Sequence, residues 1–232
     1  MSSTVPYDAL LLVSFGGPEA MADVLPFLER VLRGRDLTPE RKREVAHHYE
    51  RFGGVSPLNA QNRALLQALR AELDAHGPRL PLYWGNRNSE PFLPDALREA
   101  YAAGHRRVVV VTTSAYSCYS SCRQYRENLA DAVATLREEG IELEIDKIAP
   151  YAPRPGFIKA NLRQLVESLR ALDGTPDEAV SLLFVTHSIP DSMDETSGPG
   201  DGAGYLYQRQ HRAVGAILTE EANRILGRDL EG

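Results

Sequence analysis

The sequence predicts an α/β fold: a parallel sheet with helices on both faces, carried on into a second domain. Three observations lead there. Short aliphatic and β-branched runs alternate with longer amphipathic stretches, the order expected of βα units. The runs at 108–111 (V-V-V-V) and 182–185 (L-L-F-V) are apolar without alternation, as in strands covered on both faces. The chain has 232 residues, 43% apolar and 25% charged, enough for one large domain or two small ones without disulfide staples.

Residues 9–14 read as the first strand, predicted to be central and ended by Gly16, Gly17 and Pro18. A helix follows over 19–32, and another over 39–52 with Thr38 as N-cap, Arg41, Lys42 and Arg43 on its solvent side, and Gly53 and Gly54 as its stop. The helix over 60–75 repeats Leu65, Leu66, Leu69 and Leu73 at a spacing of three to four, a stripe predicted to lie against the sheet. Further strands are expected at 81–85, 107–113, 141–148 and 181–186, with helices at 94–102, 120–138 and 157–172. Pro150, Pro153 and Pro155 mark the best boundary, giving a first domain over 1–150 and the start of a second over 151–232. A last helix over 205–226 has no strand after it, so the second domain reads as incomplete.

Composition removes several function classes. A net charge of −6 supplies no positive field for nucleic acid. Only Lys42, Lys147 and Lys159 are lysines, so the other 23 of 26 basic residues are arginine, which suits carboxylate or phosphate recognition or reflects codon bias. The opening apolar run is too short for a signal peptide, and no stretch has the length of a transmembrane segment, so a cytoplasmic location is expected. Cys118 and Cys122 are too few for a disulfide framework. The glycine-rich stretch at 197–204 carries no G-K-S/T and does not directly follow a strand, so no nucleotide cofactor is expected.

Ligands of open α/β sheets bind at the carboxyl ends of the strands, and four such ends are chemically distinctive. S-F-G-G-P-E at 14–19 is a tight turn or a backbone that approaches a flat ligand closely. G-N-R-N-S-E-P-F at 85–92 is a capped helix start or a ligand loop. The loop at 112–125 holds three tyrosines and both cysteines; it suits a planar ligand, or is a hydroxyl-rich helix cap, and two thiols fall short of a tetrahedral metal site. T-H-S-I-P at 186–190 sets His187 where an apolar run stops, in a structural or a functional role.

Taken in order, six segments resemble the ferrochelatase family, and within it the bacterial enzymes that make coproheme. They are L-L-V-S-F-G-G-P-E (11–19), R-G-R (33–35), H-Y-E-R-F-G-G-V-S-P-L-N (48–59), G-N-R-N-S-E-P-F, Y-S-C-Y-S-S-C-R-Q-Y (116–125) and H-S-I-P. The resemblance implies two Rossmann-like, chelatase-type parallel-sheet domains, the second incomplete, with a porphyrin cleft between them. It implies a lyase of heme biosynthesis that inserts Fe²⁺, its substrate, into coproporphyrin III. His187 falls on the metal-site histidine. Ser56 and Tyr125 fall on porphyrin contacts, and Arg33 and Arg35 near the propionates. Phe15 stands where some relatives carry an axial tyrosine, so phenolate ligation is lost, and Asn88 stands where relatives often have histidine. Cys122 matches the one internal ligand of the [2Fe-2S] cluster found in some relatives, whose other ligands would lie outside this chain. Transient contact with neighbouring heme-pathway enzymes is also implied. The sequence stops at R-D-L-E-G, before the part that carries the family's metal-site glutamate; the alternative is therefore a non-catalytic tetrapyrrole-binding fragment.

Overall fold

The computed structural model describes residues 6–34, 38–199 and 202–232. They divide into two compact units, Met1–Thr113 with Arg126–Ile148, and Ser114–Tyr125 with Ala149–Gly232.

The first unit is built on a four-stranded parallel sheet of order β2-β1-β3-β4. β1 (Ala9–Ser14) is interior, as the sequence predicts, and all six of its residues are buried. Successive side chains of a strand face opposite ways, so this burial means that both faces of the sheet are covered at β1. Leu12 lies opposite Trp84 of β2 (Leu82–Asn86) on one side and Val111 of β3 (Arg107–Thr112) on the other. β3 is less evenly covered: Val108, Val110 and Thr112 are buried, whereas Val109 and Val111 are only half-buried. β4 (Glu144–Lys147) is shorter than the strand expected over 141–148, because its ladder to β3 starts only at Arg107 opposite Glu144.

Helix α1 (Met21–Val31) buries Val24, Phe27 and Leu28 against Ala46 of α2 (Pro39–Glu50). The Thr38 hydroxyl accepts the Arg41 amide at 3.3 Å, the cap read from sequence, and Gly53 and Gly54 adopt positive φ where α2 stops. α3 (Leu58–His76) corrects one expectation. Leu65 is exposed and Leu66, Leu69 and Leu73 are only half-buried, whereas the buried positions are Asn59 and Asn62. The face turned inward was chosen by hydrogen-bonding partners rather than by the leucine stripe. α4 (Leu93–Ala102) packs closely on β2 because Gly85 has no Cβ; one there would lie 2.8 Å from Leu93 Cα. One π turn (Tyr119–Arg123) leads into α5 (Gln124–Glu138).

The second unit is helical. α6 (Pro155–Arg170) packs along α8 (Leu206–Leu226), joining Val166 and Leu169 to Ala222 and Leu230. Ala152, Val214 and Leu218 form a second cluster with Tyr116 and Phe157. Residues 114–125 belong here because Tyr151 and Ala152 both donate their amides to the Ala115 carbonyl at 3.0 Å, and the Ser117 amide donates to Gln210 Oε1 at 2.8 Å. A one-turn helix not foreseen from sequence, α7 (Asp191–Glu195), buries Asp194.

The strand expected over 181–186 is not formed. Among the described residues nothing pairs with it, and a strand is defined by its ladder. His187 therefore follows an extended segment and not a strand end.

Candidate functional site

At the carboxyl end of β1, buried side-chain amides and hydroxyls hold the Gly16–Gly17 turn. Ser14 Oγ donates to Asn86 Oδ1 and accepts from Asn62 Nδ2 at 2.8 Å and from Trp84 Nε1 at 3.0 Å. Asn86 Nδ2 reaches Asn59 Oδ1 at 3.3 Å and the Glu90 carbonyl at 3.0 Å. Asn59 Nδ2 donates to the Gly17 carbonyl at 3.1 Å, and Ser89 Oγ accepts the Gly17 amide at 3.0 Å. Buried polar groups joined this way rigidify the backbone they enclose. Gly16 sits at φ +78, and a Cβ there would collide with Ser89 Oγ; at Gly17 one would lie 2.6 Å from Ser56 Cβ and Oγ.

Ser56 thus packs on Gly17, two residues after Phe15, and its amide donates to the Pro18 carbonyl at 2.8 Å. The Phe15 ring is edge-on to Phe27 at 6.0 Å, with the Arg87 guanidinium 5.5 Å from its centroid. Asn88 is a structural amide: its backbone N–H and Nδ2 both donate to the Phe15 carbonyl, at 3.2 and 3.0 Å, and its own carbonyl accepts Arg30 Nε at 2.7 Å. Glu19 anchors the far end of the turn through a two-point bond with Arg63 at 2.7 and 2.8 Å, and the hydrogen-bonded guanidinium holds its carboxyl below the ordinary range.

In the second unit His187 is exposed, and its Nδ1 lies 2.5 Å from the Ser188 carbonyl. A carbonyl only accepts, so Nδ1 carries the proton and the lone pair of the neutral ring is on Nε2, as a base or an iron ligand requires. Its backbone carbonyl accepts Tyr207 Oη at 3.1 Å. Tyr125 is buried, and Tyr151, whose burial raises its phenol above the ordinary value with a smaller contribution from Tyr125, begins a run of rings. Tyr151 meets Phe157 at 5.9 Å, Phe157 meets Tyr116 at 5.9 Å, and Tyr116 stacks on His211 at 3.6 Å. Burial holds the His211 imidazole below its ordinary value, opposed by the Asp194 carboxylate.

Arg33 is exposed just past the end of α1, and Arg35 lies outside the described residues. The structure therefore brings Phe15 and Ser56 to one turn in the first unit, and sets Tyr125 and His187 in the second. Asn62, Tyr207 and His211 escaped sequence reasoning, and Asn59, Asn86 and Thr186 lie inside the quoted motifs without being singled out there. The spacing of four between Tyr207 and His211, which puts both on one helix face, was the signal available.

A [2Fe-2S] cluster takes four protein ligands, usually thiolates. Cys118 is buried with its Sγ 3.1 Å from Ser120 Oγ and 3.2 Å from Ser121 Oγ, and Cys122 is half-buried on the π turn. These two thiols alone do not complete a cluster site. Among the described residues, no three His, Cys, Asp or Glu side chains gather into a metal site, and no helix is long and apolar enough to cross a membrane.

The ferrochelatase family model matches residues 7–228. The chain is 52% identical over 229 residues to the coproporphyrin III ferrochelatase of Streptomyces coelicolor, covering 97% of this chain and 60% of that protein. It is 50% identical over 218 residues to that of Streptomyces griseus, covering 93% and 58%, and 48% identical over 237 residues to that of Leifsonia xyli, covering 96% and 60%. The chain thus spans about 60% of the length of these relatives. With the six motif segments in order, a parallel sheet ending in the glycine turn, and a family match running nearly end to end, the chain belongs to the ferrochelatase family.

Proposed function

We propose that the protein carrying this sequence inserts Fe²⁺ into coproporphyrin III to give coproheme, in the cytoplasm, with residues 1–150 and 151–232 contributing to two domains. The observation that carries this reading is His187, whose Nδ1–H is tied to Ser188 so that Nε2 is the basic nitrogen, in a chain whose relatives are named coproporphyrin III ferrochelatases.

Insertion replaces two pyrrole N–H protons by one Fe²⁺ and releases two H⁺, leaving charge balanced. The ring itself brings four nitrogen donors, so the protein needs no metal cage of its own. His187 Nε2 accepts a pyrrole proton or hands over the iron; imidazole suits both tasks. Binding energy from the rest of the macrocycle bends it and exposes the nitrogen lone pairs. Phe15 offers an apolar face with no phenolate to trap the product iron, Ser56 and Tyr125 contact the ring, and Arg33 and Arg35 pair with propionates. Transient contact with neighbouring heme-pathway enzymes would deliver the porphyrin and remove the product.

A second reading, tetrapyrrole binding without insertion, follows from the chain spanning about 60% of the length of the relatives whose names carry the insertion activity. The absorption bands of coproporphyrin III, followed anaerobically with Fe²⁺, separate the two. The proposal expects His187→Ala to slow insertion by about 10²–10⁴-fold, the scale of a lost general base, with little change in porphyrin affinity, which draws on area spread over the site. An unchanged rate in His187→Ala removes His187 from the reaction. Porphyrin binding with no insertion by the unsubstituted protein selects the second reading.

A further inference from the structure

Three side chains with no role in the family motifs form a chain of hydrogen bonds that ends on His187. Tyr207 Oη lies 3.1 Å from the His187 carbonyl and 2.7 Å from Thr186 Oγ1, and Thr186 Oγ1 lies 3.0 Å from His211 Nε2. Each hydroxyl has one proton to donate and a carbonyl has none. The Tyr207 proton therefore goes to the His187 carbonyl, and the Thr186 proton to Tyr207 Oη. Thr186 Oγ1 is left to accept the third bond, so His211 must carry a proton on Nε2. Geometry alone thus sets the direction of all three bonds.

The chain is anchored at its far end. His211 stacks on Tyr116 with 16° between the rings and meets Tyr207 edge-on at 4.5 Å. Tyr207 and His211 lie one turn apart on α8. The first turn of that helix is capped by Asp194, whose buried Oδ1 accepts the Tyr207 amide at 3.1 Å and Ser197 Oγ at 3.0 Å. Among the described residues, the segment from 182 to 188 has no sheet ladder to fix its backbone.

We propose that His211, Thr186 and Tyr207 are positioning residues that hold the backbone of His187 in one orientation through a one-way chain of donors rooted in α8. The proposal rests on the reading of His187 as the proton- and iron-handling residue, but concerns only how that residue is held. It is tested on the whole 232-residue chain, isotope-labelled, by nuclear magnetic resonance. His211 should show the Nε2–H tautomer. Tyr207→Phe, which keeps the ring contacts, should move the His187 carbonyl ¹³C resonance upfield as its hydrogen bond is lost, and Thr186→Val, which keeps the shape, should move it upfield by less, as the Tyr207 hydroxyl is no longer held by Thr186. The backbone order parameter at His187 should fall from the rigid range near ~0.85 to below ~0.6. Thr186→Ser should retain both values, which mere filling of space would not explain. An Nδ1–H tautomer at His211, or a His187 carbonyl resonance unmoved in Tyr207→Phe and Thr186→Val, overturns the proposal. Failure of the functional reading looks different: His187→Ala would leave iron insertion unchanged while the carbonyl and tautomer signatures persist.

Discussion

Residues 9–14, A-L-L-L-V-S, and residues 181–186, S-L-L-F-V-T, have nearly the same composition and order, and each leads directly into a motif residue, Phe15 or His187. The first is a strand paired on both sides, and every residue of it is buried. The second has no ladder among the described residues; Leu183 is 85% and Val185 82% exposed. Coverage nevertheless alternates along it, since Leu182 packs on the α6–α8 cluster and the Phe184 ring lies against Gly215, where a Cβ would be 3.3 Å from it. An extended backbone with one covered face is thus within reach of local sequence and a neighbouring helix, whereas a strand needs partners distant in the chain. Each exposed aliphatic side chain forgoes the ~1.5–3 kcal/mol that full burial contributes. The two motif residues are accordingly held by different means: Phe15 by a strand and a buried amide network, His187 by a chain of donors formed by Thr186 beside it and Tyr207 and His211 on α8.

That contrast can be broken by substitution. The largest effect is expected for Leu12→Ala in β1, which should cost about 2–5 kcal/mol as a fully enclosed leucine leaves a cavity. Trp84, the only tryptophan, lies opposite Leu12 in the first unit, so its fluorescence during urea unfolding reads that unit. A loss below about 0.5 kcal/mol, the size of a surface change, would show that β1 is not the locked strand described. At the other end, Leu183→Ala should change stability by less than about 0.5 kcal/mol, read by urea unfolding of the whole chain followed by circular dichroism. A loss comparable to that of Leu12→Ala would mean that residues 181–186 are covered after all.

Much of the first unit was legible because its signals are local. The Thr38 cap, the Gly53–Gly54 stop and the glycine turn after β1 follow from conformational preferences of single residues. The leucine stripe of α3 misled because periodicity reports which residues could be buried. Ser14, Asn59, Asn62 and Asn86 satisfy one another across long sequence separations, and that mutual satisfaction turned the asparagine face inward. The apolar run at 182–185 looked like a two-sided strand for the same reason: composition states a capacity for pairing, and the partner is a non-local fact. Within the candidate site the motif residues are named through the family resemblance alone, whereas Thr186, Tyr207 and His211 become meaningful only once α8 sets Tyr207 and His211 beside the segment that carries His187.

Amide hydrogen exchange resolved along the chain tests the central contrast most directly, because it compares the two runs in one molecule at one time. The account predicts that the β1 amides within 9–14 exchange only through large-scale unfolding of the first unit, whereas those within 182–186, which belong to no ladder, exchange close to the rate of an unprotected chain. Equal, strong protection of both runs would contradict it, showing that residues 182–186 are paired and that His187 stands at the end of a true strand.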